Sequence, residues 1–65
     1  MMRVSLKAAR VNKKLRQSDA ARALNVTKKT ISSWENGKTM PCADKIAQIC
    51  DLYEVKYDDI EWKVG

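Results

Sequence analysis

The 65-residue sequence predicts an all-α fold, and three observations lead there. No segment alternates apolar and polar residues over the length of a strand, whereas apolar residues recur at spacings of three and four. The breaks between these runs carry helix signals: Ser5 and Thr27 stand where an N-cap is needed, Asn25 and Gly37 where a helix must stop, and Pro41 where one can begin. The length allows one domain, residues 1–65. At about 60 residues a chain buries only roughly 60% of its unfolded surface, so a deep substrate cleft is not expected.

The elements follow in order. Ser5 caps a first helix over residues 6–14, with Leu6, Ala9, Arg10 and Lys13 at helical spacing, and Leu15 anchors the link. A second helix over residues 17–24 places Ala20, Ala21 and Leu24 together, and its alanines suit a close approach to a neighbour. Asn25 then stops it in the left-handed conformation, which Asn adopts more readily than most residues. A third helix, over residues 28–36 and capped by Thr27, turns Ile31 and Trp34 inward and leaves Lys28, Lys29, Ser32 and Ser33 outward, with Gly37 as its terminator. Residues 38–40 form a loop. A fourth helix over residues 43–53 is expected to bury Ile46, Ile49, Cys50 and Tyr53, and a last turn or short helix over residues 57–61 contributes Ile60, with Trp62 a second candidate.

Composition narrows the function. There is no His, and Cys42 and Cys50 lie eight apart without further ligands, so no metal site, cofactor or catalytic constellation is expected and no enzyme activity is assigned. Both thiols read as small structural residues. No segment reaches the ~20 apolar residues of a membrane span, and the N-terminal residues hold scattered basic side chains rather than a signal-length apolar run, so the expected location is the cytoplasm.

Net charge is +5, but it is unevenly spread. Through Pro41 there are ten Lys or Arg against Asp19 and Glu35; from Cys42 onward three Lys face six acids. A basic front and an acidic tail imply a polyanionic partner, nucleic acid foremost. Duplex DNA fits better than RNA, because single-strand recognition stacks bases on exposed aromatics and the basic front offers only the core-facing Trp34.

The stretch QSDAARALNVTKKTISSWENG carries the most specific signal. It contains two short helices with a tight turn between them, the first rich in Ala and the second capped by Thr with a polar outer face, which is the pattern of a helix-turn-helix. A recognition helix needs one apolar face for its own domain and one polar face for base edges in the major groove. Lys28 and Lys29 supply donors at its N-terminus, and Ser32 and Ser33 allow close approach.

At these residues the chain resembles the helix-turn-helix domains of lambdoid phage repressors and Cro proteins, the XRE-like regulators. The resemblance runs from Leu6 to Ile60 and rests on Gln17, Ala21, Leu24, Val26, Thr30, Ile31, Ser32, Trp34, Glu35, Gly37, Lys38 and Pro41. Asn25 stands where the family usually has Gly, and Arg16 and Cys42 where it usually has a Ser or Thr cap. The resemblance implies a compact five-helix bundle that acts as a transcriptional regulator of Cro or repressor type, occupying a palindromic DNA operator as a homodimer. It also implies roles: Lys28, Lys29, Ser32 and Ser33 read bases, while Arg16, Gln17, Thr27, Asn36 and Lys38 hold the DNA backbone. Arg10 and Glu35 form an internal ion pair between the first and third helices, with Arg10 also able to share a phosphate.

The tail suggests a subunit contact, because Val55, Tyr57, Ile60 and Trp62 put four large apolar side chains within eight residues of a very small core. Val55, Tyr57 and Trp62 are the expected dimer residues. The acidic, apolar tail also keeps open a second reading, a helical module that binds another protein, antitoxin-like or a repressor partner, with little specific DNA binding.

Overall fold

A computed structural model describes residues 3–62. Four α-helices appear in order: α1 Leu6–Asn12, α2 Gln17–Leu24, α3 Lys28–Glu35 and α4 Ala43–Tyr53. The second and fourth occupy the predicted ranges, and the third ends one residue early, with Asn36 as its C-cap. Two caps expected from sequence are formed, the Ser5 hydroxyl accepting from the Ala8 amide at 3.0 Å and the Thr27 hydroxyl from the Thr30 amide at 3.1 Å. Each satisfies a donor that the first helical turn would otherwise leave unpaired.

Of the turn or short helix expected after α4, the structure forms a single 3-10 turn, Tyr57–Asp59, followed by a two-residue strand β2, Ile60–Glu61. That strand pairs in parallel with β1, Val4–Ser5, setting Val4 opposite Ile60 and Ser5 opposite Glu61. The fold is therefore mostly helical, as the sequence predicts, with four α-helices and a small β clasp between residues 4–5 and 60–61 rather than the five helices the resemblance implies. A helix nucleus is costly, and so few residues cannot recover that cost when Ile60 must also reach the core. Extended backbone delivers it there, and Ile60 is buried.

The core is small and continuous. Leu6 and Ala9 of α1, Ala20, Ala21 and Leu24 of α2, Ile31 and Trp34 of α3, and Ile49 and Tyr53 of α4 meet Ile60 in one cluster. The most extensive helix contact joins α2 to α3, where Ala20 is completely buried, so the absence of bulk at this position lets the two helices approach. Ile46 and Cys50 are only half-buried, contrary to expectation, while Leu52 packs against the core from the opposite margin. The helix exposes one edge of its apolar stripe because the domain has no further layer to cover it.

All four helices stop in the same way. Lys14, Asn25, Gly37 and Glu54 have φ of 60°, 57°, 76° and 56°, and each is followed by an amide that reaches back into its helix. Leu15 donates to Arg10 O at 3.2 Å, Val26 to Ala21 O at 2.9 Å, Lys38 to Ser33 O at 2.9 Å and Val55 to Cys50 O at 3.0 Å. These are Schellman stops, and they explain why α1 ends at Asn12 rather than at Lys14. Only Gly37 holds the left-handed conformation without a Cβ penalty.

Replacing Lys14 with Gly is therefore expected to stabilise the fold. The left-handed conformation costs an L-residue about 1–2 kcal/mol, and glycine returns roughly 0.5–1 kcal/mol of that as unfolded-state entropy. Thermal denaturation of Lys14→Gly should show a midpoint a few degrees above the parent. An unchanged or lower midpoint would mean that the Lys14 side chain contributes more than its backbone costs.

Candidate nucleic-acid interface

The polar organisation of the site begins at Arg10. Its Nε donates to Glu35 Oε2 at 2.6 Å, its Nη2 to Glu35 Oε1 at 3.3 Å, and its Nη1 to the Leu15 carbonyl at 2.7 Å. Gln17 Nε2 donates to the same Glu35 Oε1 at 3.1 Å. The side chains of Arg10 and Glu35 are 8% and 4% exposed. The Arg10–Glu35 pair thus joins α1, the α1–α2 link, the N-terminus of α2 and the C-terminal turn of α3. Each Arg10 nitrogen has an internal partner, so this guanidinium is committed to the fold rather than offered to a phosphate.

Burial holds the opposite face of α3. Ile31 and Trp34 are buried beside Glu35, and Thr27 fixes where the helix begins. Lys28 and Lys29 on its first turn are exposed. Ser32 and Ser33 are half-buried rather than fully outward, and Ser32 Oγ accepts from Asn36 Nδ2 at 3.2 Å. The Thr27 hydroxyl lies 2.9 Å from that of Thr30 in addition to its capping bond. The structure therefore places Thr27, Lys28, Lys29, Ser32, Ser33 and Asn36 on one short helix and its caps, and Lys38 is exposed just after Gly37.

Arg16 and Gln17 occupy the start of α2. Asp19 accepts from the Arg16 backbone amide at 2.9 Å and from Arg16 Nε at 3.2 Å, so the helix is capped from within although no Ser or Thr stands at its N-cap. The Arg16 amide, followed by its guanidinium, holds the Asp19 carboxyl below the usual carboxylate range. The Arg16 side chain remains 81% exposed. Both acids of the basic front are thereby matched by arginines, Asp19 by Arg16 and Glu35 by Arg10, so the exposed lysines of α3 and its following loop face no acidic competitor from residues 3–41.

Sequence reasoning missed Lys45. From α4 its Nζ donates to the Leu24 carbonyl at 2.7 Å, capping the C-terminus of α2 at the turn into α3. Nothing in the spacing of a single lysine on a surface helix signals such a contact. Among the described residues there is no group of three His, Cys, Asp or Glu placed to hold a metal, and no helix long and apolar enough to cross a membrane.

A buried polar hub, a tight turn and a short helix with a lysine-bearing outer end form a complete helix-turn-helix. A helix-turn-helix family model matches residues 6–60, nearly the whole chain. The chain belongs to the XRE-type helix-turn-helix family. No curated protein matches the sequence. As a member of the XRE-type family the protein is a DNA-binding transcription regulator, with α3 in the position of the recognition helix.

Two measurements test the hub. Glu35→Gln leaves Arg10 buried without its counter-charge and should cost about 3–5 kcal/mol in denaturant unfolding, whereas Asp19→Asn, which breaks an exposed pair, should cost far less. Equal losses would mean that burial does not distinguish the pairs.

The second concerns Tyr53, whose hydroxyl is pushed up from its ordinary value of 10 to about 12, first by burial and then by the charge of Glu35, with Arg10 opposing. The folded state holds this proton more tightly than the unfolded one. The contribution is therefore complete below pH 10 and is lost as pH rises toward 12, on the order of 2 kcal/mol in all. A Tyr53→Phe protein should lose less stability than the parent over that interval, and parallel curves would remove the assignment.

Proposed function

We propose that this regulator is a sequence-specific repressor of Cro type that occupies an imperfect palindromic operator as a homodimer. The observation that carries the reading is the polarity of α3. Its inner face is held by Ile31, Trp34 and the buried Glu35, while Lys28 and Lys29 stand exposed at its N-terminal end. In a helix-turn-helix that end enters the major groove, where lysine donors meet guanine O6 and N7.

The remaining roles follow from position. Ser32 and Ser33 lie one turn on, close enough to the helix surface to meet a base edge without pushing the backbone away. Arg16, Gln17, Thr27, Asn36 and Lys38 flank α3 and bind phosphates, setting register without reading sequence. Gln17, which also holds Glu35, couples a phosphate contact to the seat of the recognition helix.

Dimerisation through Val55, Tyr57 and Trp62 is supported by the exposure of the tail. Tyr57 is 51% exposed, and its ring stacks on Trp62 with centroids 5.4 Å apart, while Trp62 Nε1 donates to the Tyr57 carbonyl at 3.2 Å. Val55 and Trp62 are half-buried against the core, so this edge combines a rigid aromatic pair with unfilled contact area. Two such domains place their recognition helices about 34 Å apart, matching half-site centres about 10 bp apart.

Selection from a random duplex pool followed by band-shift titration tests the reading. The winning site should be palindromic, and a half-site should bind far more weakly than the full site. Lys28→Ala or Lys29→Ala should change sequence preference by about 1–3 kcal/mol at single base pairs, whereas Lys38→Ala should weaken all duplexes alike. Equal affinity for half and full sites, or a uniform loss in all three variants, would overturn it and favour a protein-binding module.

A further inference from the structure

The joint between α2 and α3 depends on a residue outside the helix-turn-helix. The last carbonyls of α2 need partners, and the turn itself supplies only some of them: Arg22 O accepts from Asn25 N at 3.3 Å and Ala21 O from Val26 N at 2.9 Å. The Leu24 carbonyl is met instead by Lys45 Nζ at 2.7 Å, from the first turn of α4. A cation at this point also complements the negative end of the α2 dipole. Leu24 is itself buried, and the next residue, Asn25, is left-handed at φ 57° without the freedom of glycine.

We propose that Lys45 is a positioning residue for the recognition helix. By clamping the Leu24 carbonyl to α4, it fixes the direction in which the chain leaves α2 and so the angle at which α3 presents Lys28 and Lys29. Lys45 is half-buried, which favours this one reach over the many a surface lysine can take. Asn25 stands where the turn usually has glycine, and the clamp holds the peptide that precedes it while Asn25 keeps its left-handed conformation. The effect on DNA rests on the base-reading role of α3 proposed above, whereas the clamp itself does not.

The test uses Lys45→Met, which keeps the stem and removes the donors, and Lys45→Arg, which restores a donor. Amide hydrogen exchange of the free protein, well below its melting temperature, is expected to quicken at Asn25 and Val26 in Lys45→Met but not at the α1 amides. Affinity for the selected operator should fall about tenfold, the value of roughly one charge-assisted hydrogen bond, with nonspecific duplex binding little changed. Lys45→Arg should recover both properties. Unchanged exchange at the turn in Lys45→Met would overturn the clamp. Equal loss on specific and nonspecific DNA would overturn it as well, making Lys45 a phosphate contact. Should the parent prefer no duplex, the base-reading proposal fails by itself, and the exchange comparison still decides the clamp. Should Lys45→Met not fold, Lys45→Gln, with a shorter reach and a neutral donor, takes its place in both measurements.

Discussion

The buried pairing of Arg10 with Glu35 is the constraint on which the rest of the domain depends. A buried ion pair adds little net stability over apolar residues of equal volume, because desolvating two charges offsets most of their attraction. Its geometry, however, is unforgiving. If α3 slid by one turn against α1, both charges would lose each other in the interior, and the Gln17 amide would lose its acceptor on Glu35. The pair therefore sets the register of the helices, and apolar packing around Ile31 and Trp34 supplies the driving force.

Around this hub, the domain is economical in its joints. Four Schellman stops turn the chain sharply, and three of them place an ordinary residue in the left-handed conformation. The ends are held by contacts between distant elements: Lys45 on the end of α2, Lys13 to Glu54 at 2.7 Å between the ends of α1 and α4, and β1 on β2. The Lys13 bond and charge hold Glu54 below the ordinary carboxylate range. Such a layout suits a very small domain, in which each added layer of core is unavailable and the order of the termini has to come from pairing.

Charge follows the same division of labour. The acids that fall within the basic front are drawn into arginine pairs, one buried and one at the surface, so the lysines of α3 face outward against a background without opposing charge nearby in sequence. The remaining acids gather on α4 and the tail, beside the Tyr57 and Trp62 stack. Under the proposed reading, this division draws a phosphate backbone toward the lysines of α3 and away from the acidic tail.

What the sequence determined by itself is the local grammar: where α2, α3 and α4 lie, the Ser5 and Thr27 caps, the Asn25 and Gly37 stops, the inward Ile31 and Trp34, and the outward Lys28 and Lys29. These depend on periodicity and on residues that act within one turn of themselves, so they survive without knowledge of the rest of the chain. The family pattern extended this to the pairing of Arg10 with Glu35, whose members lie far apart along the chain. Only the tertiary structure decided the rest. Two-residue strands have no alternation to detect, so the clasp of Val4 on Ile60 exists because the two segments meet on the core, and the same demand to bury Ile60 decided for a turn over a helix in the last element. Ile46 and Cys50 match a helical stripe as well as Ile49 does, yet burial depends on how far the neighbouring helices extend. Lys45 looks like any solvated lysine until α4 is laid across the end of α2, because a side-chain bond to a backbone carbonyl depends on direction and distance, which spacing along the chain does not encode.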